Sequence, residues 1–511
     1  MYQNLFGSPE RRTTAINRGH GGSMSPASQC CAKEGQVATE IKFGTDGWRG
    51  VIADDFTYDN VRIVAQGIAD HLKESGKASD GLVVGYDFRF ASEGFAAAVA
   101  EVVASNGIKV WLCQEAAPTP AVSYSILVQK AAGAVMVTAS HNPGIWNGIK
   151  FRPEYAGAAS PEIIAKIEAQ VHRIQAGGGV QRQPLEQLTK AGTVVYFDPK
   201  PAYFEQIGRL VDVNAIKNAG LAIVADAMYG VGAGYFEALL RGGTTRVHNI
   251  RSQRNPIFPG INPEPIPPNV AELLEAVRSH KADVGLATDG DADRIGAVDE
   301  HGNFVNQLQM YAMLFLYLLE VRGMRGPAVR TVTSTVMADK LGKLYGVPVY
   351  ETGVGFKYVA PKMLETDALI GGEESGGFAF KGHIPERDAF VAGLFLLDLM
   401  IKLGKPLSEV IKYLYDKVGA HYYDRRDLHF DPARKAEIIR RVSEYRPSEM
   451  DMMRVVGVNT TDGSKFLLED GSWLLIRFSG TEPVMRIYTE TTDPARVNRM
   501  LDMGETIAGV R

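Results

Sequence analysis

The sequence predicts an α/β protein with three related α/β domains of βαβ type and a smaller C-terminal α+β domain. Three observations support this prediction. The chain has 511 residues, too many for one hydrophobic core and suited to about three or four domains. A strand–helix–strand pattern with short apolar strands occurs three times. From residue 419 onward that pattern is replaced by a run of short strands.

The three repeated units follow a helix that begins after Thr57, whose hydroxyl suits an N-cap. Apolar residues recur on one side of that helix from Val61 to Leu72. Each unit is a strand, a helix and a second strand, the pattern of parallel sheets. The predicted segments are 82–85, 92–106 and 108–112 in the first unit; 221–225, 234–241 and 246–250 in the second; 328–332, 336–345 and 347–350 in the third; and strands at 467–468, 474–476 and 485–488 in the last domain.

Changes of pattern place domain boundaries near Lys190, Gly302 and Gly419. Residues before Ile41 are rich in Gly, Ser and Thr, a composition that does not supply a core. The predicted divisions are a disordered N-terminal extension at 1–38 and four domains at 39–190, 191–302, 303–418 and 419–511.

Charge and composition limit the partners. The formal net charge of −4 argues against nucleic acid, because phosphate contacts need massed Lys and Arg. The apolar runs 308–319 and 390–403 are shorter than the ~20 residues that span a bilayer, so we expect buried helices and no membrane partner. The three cysteines do not suit a disulfide framework, which favours the reducing cytoplasm.

A metal site is predicted at Asp289, Asp291 and Asp293, which alternate on one Gly-containing loop. Hard carboxylates converging from one loop suit Mg²⁺ or Ca²⁺. An EF-hand is excluded because its sixth position requires Gly and is Arg294 here. A solvated acidic turn is the other alternative, and the apolar strands predicted on both sides argue against it. The pattern therefore indicates a Mg²⁺ site on a loop between strands.

A second loop places Ser140 directly after an apolar strand, in the stretch Val135–Pro143. Ser140 could be a nucleophile activated by neighbouring dipoles and charges, or it could merely cap a turn. From this stretch alone the two interpretations have equal support. A lipase-type triad has little support, since a Gly-x-Ser-x-Gly elbow is lacking. Lys150, ten residues on, could reach the same site.

The glycine-rich loop Gly371–Gly377 contains Glu373, Glu374 and Ser375. Carboxylates would repel a phosphate, so this loop suits sugar hydroxyls, to which Glu and Ser can accept and donate hydrogen bonds. The alternative is a flexible turn between apolar segments.

A fourth loop has the composition of a phosphate cradle, with cationic, hydroxyl and backbone N–H donors close together. Its residues are Arg477, Ser479, Gly480, Thr481 and Arg486. A capped surface turn is the alternative, and an arginine on each side makes it the weaker one.

Taken together and in order, five loops resemble those of the α-D-phosphohexomutase family, over the chain from about Ile41 to its C-terminus. The motifs are Phe-Gly-Thr-Asp-Gly-Trp-Arg-Gly (43–50), Thr-Ala-Ser-His-Asn-Pro (138–143), Asp-Gly-Asp-Ala-Asp-Arg (289–294), Gly-Glu-Glu-Ser-Gly (372–376) and Arg-Phe-Ser-Gly-Thr-Glu-Pro (477–483). The resemblance implies four domains around a central cleft, the first three sharing an α/β topology, which agrees with the three βαβ units.

The resemblance also implies roles for individual residues. Ser140 would be carried as a phosphoserine and would bind one Mg²⁺ per chain with Asp289, Asp291 and Asp293. Phosphoryl transfer would pass through a hexose 1,6-bisphosphate, which also serves as activator. The remaining implied roles are transferred-group contacts for Arg49, His141, Lys150 and Arg294, with either Lys150 or His141 handling the proton; sugar hydroxyl contacts for Glu373 and Ser375; and phosphosugar contacts for Lys357, Arg477, Ser479, Gly480, Thr481 and Arg486.

The expected partner is a small-molecule hexose phosphate, and the chain is expected to be a monomer or homodimer. Glu-Glu-Ser in the sugar loop favours a phosphoglucomutase acting on glucose 1- and 6-phosphates. Mannose phosphates or both sugars are the alternative, followed by glucosamine phosphates. A metal-dependent sugar phosphatase is the alternative from a different class, and a non-catalytic sugar-phosphate sensor is a third. The sugar and phosphate loops argue against the phosphatase, because a hydrolase has less need to hold the far end of its substrate. Intact Ser140, the three aspartates and Lys150 argue against the sensor.

Overall fold

The computed structural model describes residues 40–44, 46–478 and 484–510. The predicted extension at 1–38 lies outside the described residues. Four β-sheets follow one another along the chain, each with its own helices, which confirms the predicted α/β class with a distinct C-terminal domain.

The first domain has a six-stranded sheet. Its elements are β1 (Trp48–Val51), α1 (Tyr58–Glu74), β2 (Leu82–Tyr86), α2 (Ser92–Ser105), β3 (Val110–Cys113), α3 (Thr119–Gln129), β4 (Gly133–Val137), β5 (Trp146–Pro153), α4 (Pro161–Gln175), α5 (Leu185–Lys190) and β6 (Val194–Phe197), with a 3₁₀ turn at Ala78–Asp80. The strand order is β1-β5-β4-β2-β3-β6, in which β5 runs antiparallel to β1 and β4. Thr57 is the N-cap of α1, as predicted, since its hydroxyl accepts from the Asn60 backbone N–H at 3.3 Å.

The second domain has a five-stranded sheet in the order β11-β10-β9-β7-β8. Its elements are α6 (Lys200–Leu210), α7 (Val213–Lys217), β7 (Ala222–Asp226), α8 (Tyr235–Leu240), β8 (Arg246–Ile250), α9 (Ala271–His280), β9 (Val284–Thr288), β10 (Ile295–Val298) and β11 (Phe304–Val305). Strands β7, β8 and β9 are parallel, whereas β10 runs antiparallel to β9 and β11.

The third domain has a four-stranded sheet in the order β13-β12-β14-β15. Its elements are α10 (Gln307–Leu316), a π-helical turn (Tyr317–Val321), β12 (Ala328–Thr331), α11 (Met337–Tyr345), β13 (Val349–Thr352), α12 (Phe356–Thr366), β14 (Ile370–Gly372), β15 (Phe378–Phe380), α13 (Ala389–Leu403) and α14 (Leu407–Val418). Only β15 is antiparallel to its neighbour.

The last domain has an antiparallel sheet in the order β16-β21-β20-β19-β18-β17. Its elements are β16 (Tyr422–His429), a 3₁₀ turn (Pro432–Arg434), α15 (Lys435–Glu444), β17 (Glu449–Met450), β18 (Met453–Asn459), β19 (Ser464–Leu468), β20 (Trp473–Phe478), β21 (Val484–Thr491) and α16 (Pro494–Ala508).

The first three sheets share one strand order, β5-β4-β2-β3, β10-β9-β7-β8 and β15-β14-β12-β13. The predicted units account for the parallel pairs β2–β3, β7–β8 and β12–β13 but not for the antiparallel partner in each sheet. That partner follows its neighbour after a loop without a crossover helix, so it must return antiparallel. The three loops between these strands, at 138–145, 289–294 and 373–377, therefore occupy equivalent places. They contain Ser140, the aspartates and Glu373.

Two sheets extend past the predicted boundaries. Strand β6 pairs with β3 beyond Lys190, and β11 pairs with β10 beyond Gly302. These short edge strands were not predicted, because pairing with a distant strand leaves no local pattern in the sequence.

The two long apolar runs form α10 with its π-helical turn and α13, and both are buried in the main hydrophobic core. Asp398, the carboxylate inside α13, accepts a hydrogen bond from the Tyr317 hydroxyl at 2.6 Å, which satisfies a buried polar group. Among the described residues, none of the helices combines the length and apolarity that crossing a membrane requires.

Candidate active site

Ser140 lies at the tip of the loop between β4 and β5 and is fully buried. Its backbone is left-handed, with φ +52°, a conformation unusual for a residue other than Gly. The Ser140 N–H donates to the Thr138 hydroxyl at 2.8 Å, and its Oγ donates to Asp289 Oδ2 at 2.7 Å. His141 Nδ1 lies 3.5 Å from the same Oγ. The hydroxyl thus faces the aspartate loop of the second domain.

Arg89, which the sequence did not single out, holds this loop from beneath. It is fully buried, and its two terminal nitrogens donate to four backbone carbonyl oxygens at 2.6–2.9 Å. The acceptors belong to Ser140, Asn142, Pro143 and Trp146. A loop with this many carbonyls turned inward requires such a cation, since unpaired buried carbonyls are costly.

Asp289, Asp291 and Asp293 are fully buried, and one carboxylate oxygen from each lies within 4.8 Å of the others. Asp291 Oδ1 and Asp293 Oδ1 have no hydrogen-bond partner within the described part of the chain. Hard oxygen atoms, close together and partly unsatisfied, fit Mg²⁺. At Gly290 a Cβ would collide with the Ser140 carbonyl oxygen, so the close contact of the two loops requires glycine there.

The electrostatics of the three aspartates differ. Burial and the charges of Asp291 and Asp293 hold the pKa of Asp289 well above its usual value. Burial would also raise the pKa of Asp291, but Lys150 and the Thr119 hydroxyl lower it. A divalent cation bound among the three carboxylates would counteract this rise in the pKa of Asp289.

Lys150, on β5, is the cation nearest to the aspartates. Its Nζ lies 2.7 Å from Asp291 Oδ2, 2.8 Å from Asp293 Oδ2 and 3.0 Å from Asp46 Oδ2. Burial lowers the pKa of Lys150, but these three carboxylates outweigh it and hold the pKa above its usual value. Lys150 therefore neutralises part of the cluster charge in this state.

A second set of charges, not predicted from the sequence, joins the first and third domains. Arg387 Nη2 donates to Asp46 Oδ2 at 2.5 Å and lies 2.9 Å from Asp293 Oδ2. Arg152 contacts the other Asp46 oxygen at 2.9 Å and also pairs with Glu386. Burial would raise the pKa of Asp46, but Arg152, Arg387 and Lys150 hold it well below its usual value.

The sugar-loop candidates lie beside this network. Glu373 Oε2 is 3.7 Å from Arg387 Nη1, and burial raises the pKa of Glu373 to about 7. Ser375 Oγ is buried without a hydrogen-bond partner among the described residues. The loop also contacts the metal loop directly, since the Ile295 N–H donates to the Gly376 carbonyl at 3.0 Å.

Arg49 and Arg294 flank the serine and aspartate loops. Arg49 donates to the Asn142 side-chain oxygen, next to Ser140. The Arg294 N–H donates to Asp289 Oδ1 at 3.0 Å, and its side chain lies 3.6 Å from Glu264. Burial and the charges of Arg294, Arg49 and Lys150 hold the pKa of His141 well below its usual value.

The phosphate-loop candidates lie in the last domain. Arg477 and Arg486 are opposite each other on β20 and β21, so their side chains share one face of the sheet. Arg477 Nε donates to Asp462 Oδ1 at 2.9 Å, and Asp462 Oδ2 accepts from the Val354 N–H at 3.0 Å. This places Arg477 next to the loop that leads into α12. Lys357 lies in the first turn of that helix. The predicted Ser479, Gly480 and Thr481 lie outside the described residues.

The structure thus brings the predicted serine, aspartate and lysine together and joins them to Glu373 through Arg387. Sequence reasoning missed Arg89, Asp46, Arg152, Arg387 and Thr119, whose hydroxyl donates to Asp291 Oδ2 at 2.6 Å. Asp46 stood within the first quoted motif, and Arg387 shortly precedes the apolar run 390–403, so both were charges next to predicted buried segments.

Four family models match the chain in order. They are the phosphoglucomutase/phosphomannomutase α/β/α domain I at 40–177, domain II at 201–302, domain III at 306–418 and the C-terminal domain at 437–505. Each match lies within one of the predicted divisions.

Relatives and solved structures extend over nearly the whole chain. A "Phosphoglucomutase/phosphomannomutase" of Thermococcus kodakarensis is 32% identical over 90% of this chain and 97% of its own. A "Probable phosphoglucosamine mutase" of Methanothermobacter thermautotrophicus is 32% identical over 89% of this chain and 95% of its own. The structure of a putative phosphomannomutase from Thermus thermophilus matches with a TM-score of 0.80 and 36% identity, covering 92% of this chain and 100% of that one.

Three α/β domains of one topology and an antiparallel fourth, with a serine loop facing an aspartate loop, define the class of the α-D-phosphohexomutases. Members of this class are isomerases. The chain belongs to the phosphoglucomutase/phosphomannomutase family within it.

Proposed function

We propose that the protein interconverts the 1- and 6-phosphates of both glucose and mannose, through a phosphoserine at Ser140. The 2.7 Å contact of Ser140 Oγ with Asp289, inside the aspartate cluster, is the observation that carries the proposal. The sequence alone favoured glucose. The relative named for both sugars, and the neighbour named for mannose, favour the wider specificity.

Substrate binding uses groups of the third and last domains. Glu373 and the unpartnered Ser375 hydroxyl suit two neighbouring sugar hydroxyls. Arg477, Arg486 and Lys357 supply the cations that a non-reacting phosphate needs. A hexose bisphosphate has a phosphate at each end and neighbouring hydroxyls between the two. The same residues can therefore hold the intermediate in two orientations.

Mg²⁺ would be held by Asp289, Asp291 and Asp293 together with a phosphoserine oxygen, where it would neutralise charge on the transferring phosphoryl group. A sugar hydroxyl oxygen attacks the phosphorus, the new O–P bond forms and the bond to Ser140 Oγ breaks. The hydroxyl proton leaves and Ser140 Oγ gains one. His141, whose Nδ1 lies 3.5 Å from Oγ and whose pKa is lowered, is the candidate to accept the hydroxyl proton, and Lys150, an ammonium hydrogen-bonded to the adjoining aspartates, is the candidate to donate a proton to Oγ.

The product of this step is a hexose 1,6-bisphosphate. After it turns over in the site, its other phosphoryl group returns to Ser140 by the reverse transfer, and the proton follows the reverse path. No phosphate is released in the complete cycle. Residues of all four domains contribute to this exchange, which is consistent with an intermediate handled at both ends.

Glu373→Gln is expected to change the pH dependence of stability. In the folded chain the pKa of Glu373 is raised from 4.5 to about 7, so the folded state keeps a proton that the unfolded chain has released. Between these values the free energy of unfolding of the wild type therefore falls as pH rises. Glutamine does not titrate, so the variant should lack this component. Chemical denaturation of both proteins across this pH range measures the difference, and parallel curves would contradict the pKa shift.

The proposed function is tested by a coupled mutase assay with Mg²⁺ and a trace of the matching hexose 1,6-bisphosphate. Glucose 1-phosphate, mannose 1-phosphate and glucosamine 1-phosphate are compared, with inorganic phosphate monitored in parallel. We expect conversion of the first two at similar kcat/KM. A preference for glucosamine 1-phosphate by tenfold or more would overturn the sugar assignment, and release of inorganic phosphate without isomerisation would indicate a sugar phosphatase.

A further inference from the structure

Arg89 makes an unusual set of contacts for a residue outside the substrate-binding loops. It follows β2 in the first domain, at the carboxyl edge of the sheet, and its side chain is completely buried. The guanidinium donates to the carbonyls of Ser140 at 2.7 Å and Asn142 at 2.6 Å through one nitrogen. Through the other it donates to Pro143 at 2.8 Å and Trp146 at 2.9 Å. One planar group thus fixes the serine loop at four points.

Asp87 supports the serine loop on the amino side of Ser140. We call Asp87 and Arg89 together the clamp. Asp87 Oδ2 lies 3.3 Å from Arg89 Nε and accepts from the Thr138 hydroxyl at 2.6 Å. The Thr138 hydroxyl oxygen accepts from the Ser140 N–H at 2.8 Å. The Asp87–Arg89 pair therefore holds both the N–H and the carbonyl of Ser140, the residue with the left-handed backbone.

The domain that carries the aspartates also contacts the clamp. The Phe258 ring lies 4.9 Å from the Arg89 guanidinium carbon, and Arg254 donates to the Phe88 carbonyl at 3.2 Å. Arg254 also pairs with Glu93 at 2.9 Å. The clamp therefore lies at the contact between the serine-bearing first domain and the aspartate-bearing second domain.

We propose that Arg89 is a positioning residue for phosphoryl transfer: it holds the Ser140 loop in the geometry that aims Oγ at the aspartate cluster. A lysine could not replace it, since an ammonium cannot serve four carbonyls spread along a planar fork. A buried guanidinium near Asp289 and Asp291 also balances part of their charge. The inference rests on the proposed role of Ser140.

The test compares Arg89→Lys with the wild type by kcat, KM and melting temperature. We expect kcat to fall about a hundredfold with KM changed less than about threefold, because the substrate contacts remain while the nucleophile is misplaced. Arg251→Lys is the matched control. Arg251 is also buried and pairs with an aspartate, Asp226, at 3.0 Å, and its other side-chain contacts are with the Asn269 carbonyl and Glu272 instead of the serine loop. It should lose stability while keeping the wild-type kcat.

Thr138→Val provides a second variant in case Arg89→Lys does not fold. It removes the hydroxyl between Asp87 and the Ser140 N–H and should lower kcat about tenfold at unchanged KM. Added guanidinium at a few millimolar should raise the kcat of Arg89→Ala and leave that of Arg251→Ala unchanged. An Arg89→Lys enzyme with wild-type kcat, or an equal loss in Arg251→Lys, would overturn the inference. A wild type without mutase activity would instead overturn the proposed function.

Discussion

Replacing Ser140 with alanine is expected to abolish mutase turnover, lowering kcat by about 10⁴-fold or more, because no other oxygen takes the phosphoryl group. Binding should survive. Glu373, Arg477 and Arg486 are untouched, and the aspartate oxygens still lie within 4.8 Å of one another. The hexose phosphate affinity, measured by calorimetry, should stay within a fewfold of the wild type, and Mg²⁺ should still bind to the three aspartates.

Ser123→Ala is the matched control for this variant. Ser123 is also a buried serine in the first domain, and its hydroxyl has no hydrogen-bond partner among the described residues. Its loss should leave kcat unchanged. If Ser140→Ala kept more than about a tenth of wild-type turnover, Ser140 would not be the phosphoryl carrier.

Lys150→Met is expected to lower kcat by about 10³-fold, since we propose that its ammonium neutralises charge on the transferred phosphoryl group. The metal-free variant should also lose about 3–5 kcal/mol of unfolding free energy, because Asp46, Asp291 and Asp293 lose a cation within 3.0 Å. Adding Mg²⁺ should raise its melting temperature more than that of the wild type, where Lys150 competes for the same oxygens.

Lys465→Met is the matched control for Lys150→Met. It separates the general effect of losing a buried lysine from the specific effect of losing Lys150. Lys465 is also buried and pairs with Glu351 at 3.0 Å, and it donates to the Val332 carbonyl instead of contacting the serine or aspartate loops. It should destabilise the chain with kcat within a fewfold of the wild type. Equal kcat values for both lysine variants would show that Lys150 acts only through stability.

The loops that bear Ser140, the aspartates and Glu373 could be predicted because each combines a short chemical pattern with an apolar strand beside it. That the three loops occupy equivalent places in their sheets could not be predicted. This equivalence depends on the antiparallel strands β5, β10 and β15, and pairing over long sequence distances leaves little local signal.

The supporting charges were missed for a similar reason. Arg89 donates to carbonyls more than fifty residues away, and backbone carbonyls have no sequence signature. Asp46 stood in a motif that sequence analysis valued for Arg49, whereas the structure places Asp46 at the centre of three cations. Charged residues bordering predicted buried strands are the signal that could have drawn attention to both.

The central claim is that a phosphoryl group resides on Ser140 and passes to a sugar. The most direct test labels the enzyme with radioactive hexose 1,6-bisphosphate, identifies the labelled peptide, and then adds unlabelled glucose 6-phosphate or mannose 6-phosphate. We predict label on Ser140 that leaves, at the rate of turnover, into hexose 1,6-bisphosphate. Label on another residue, or label that leaves as inorganic phosphate, would contradict the account.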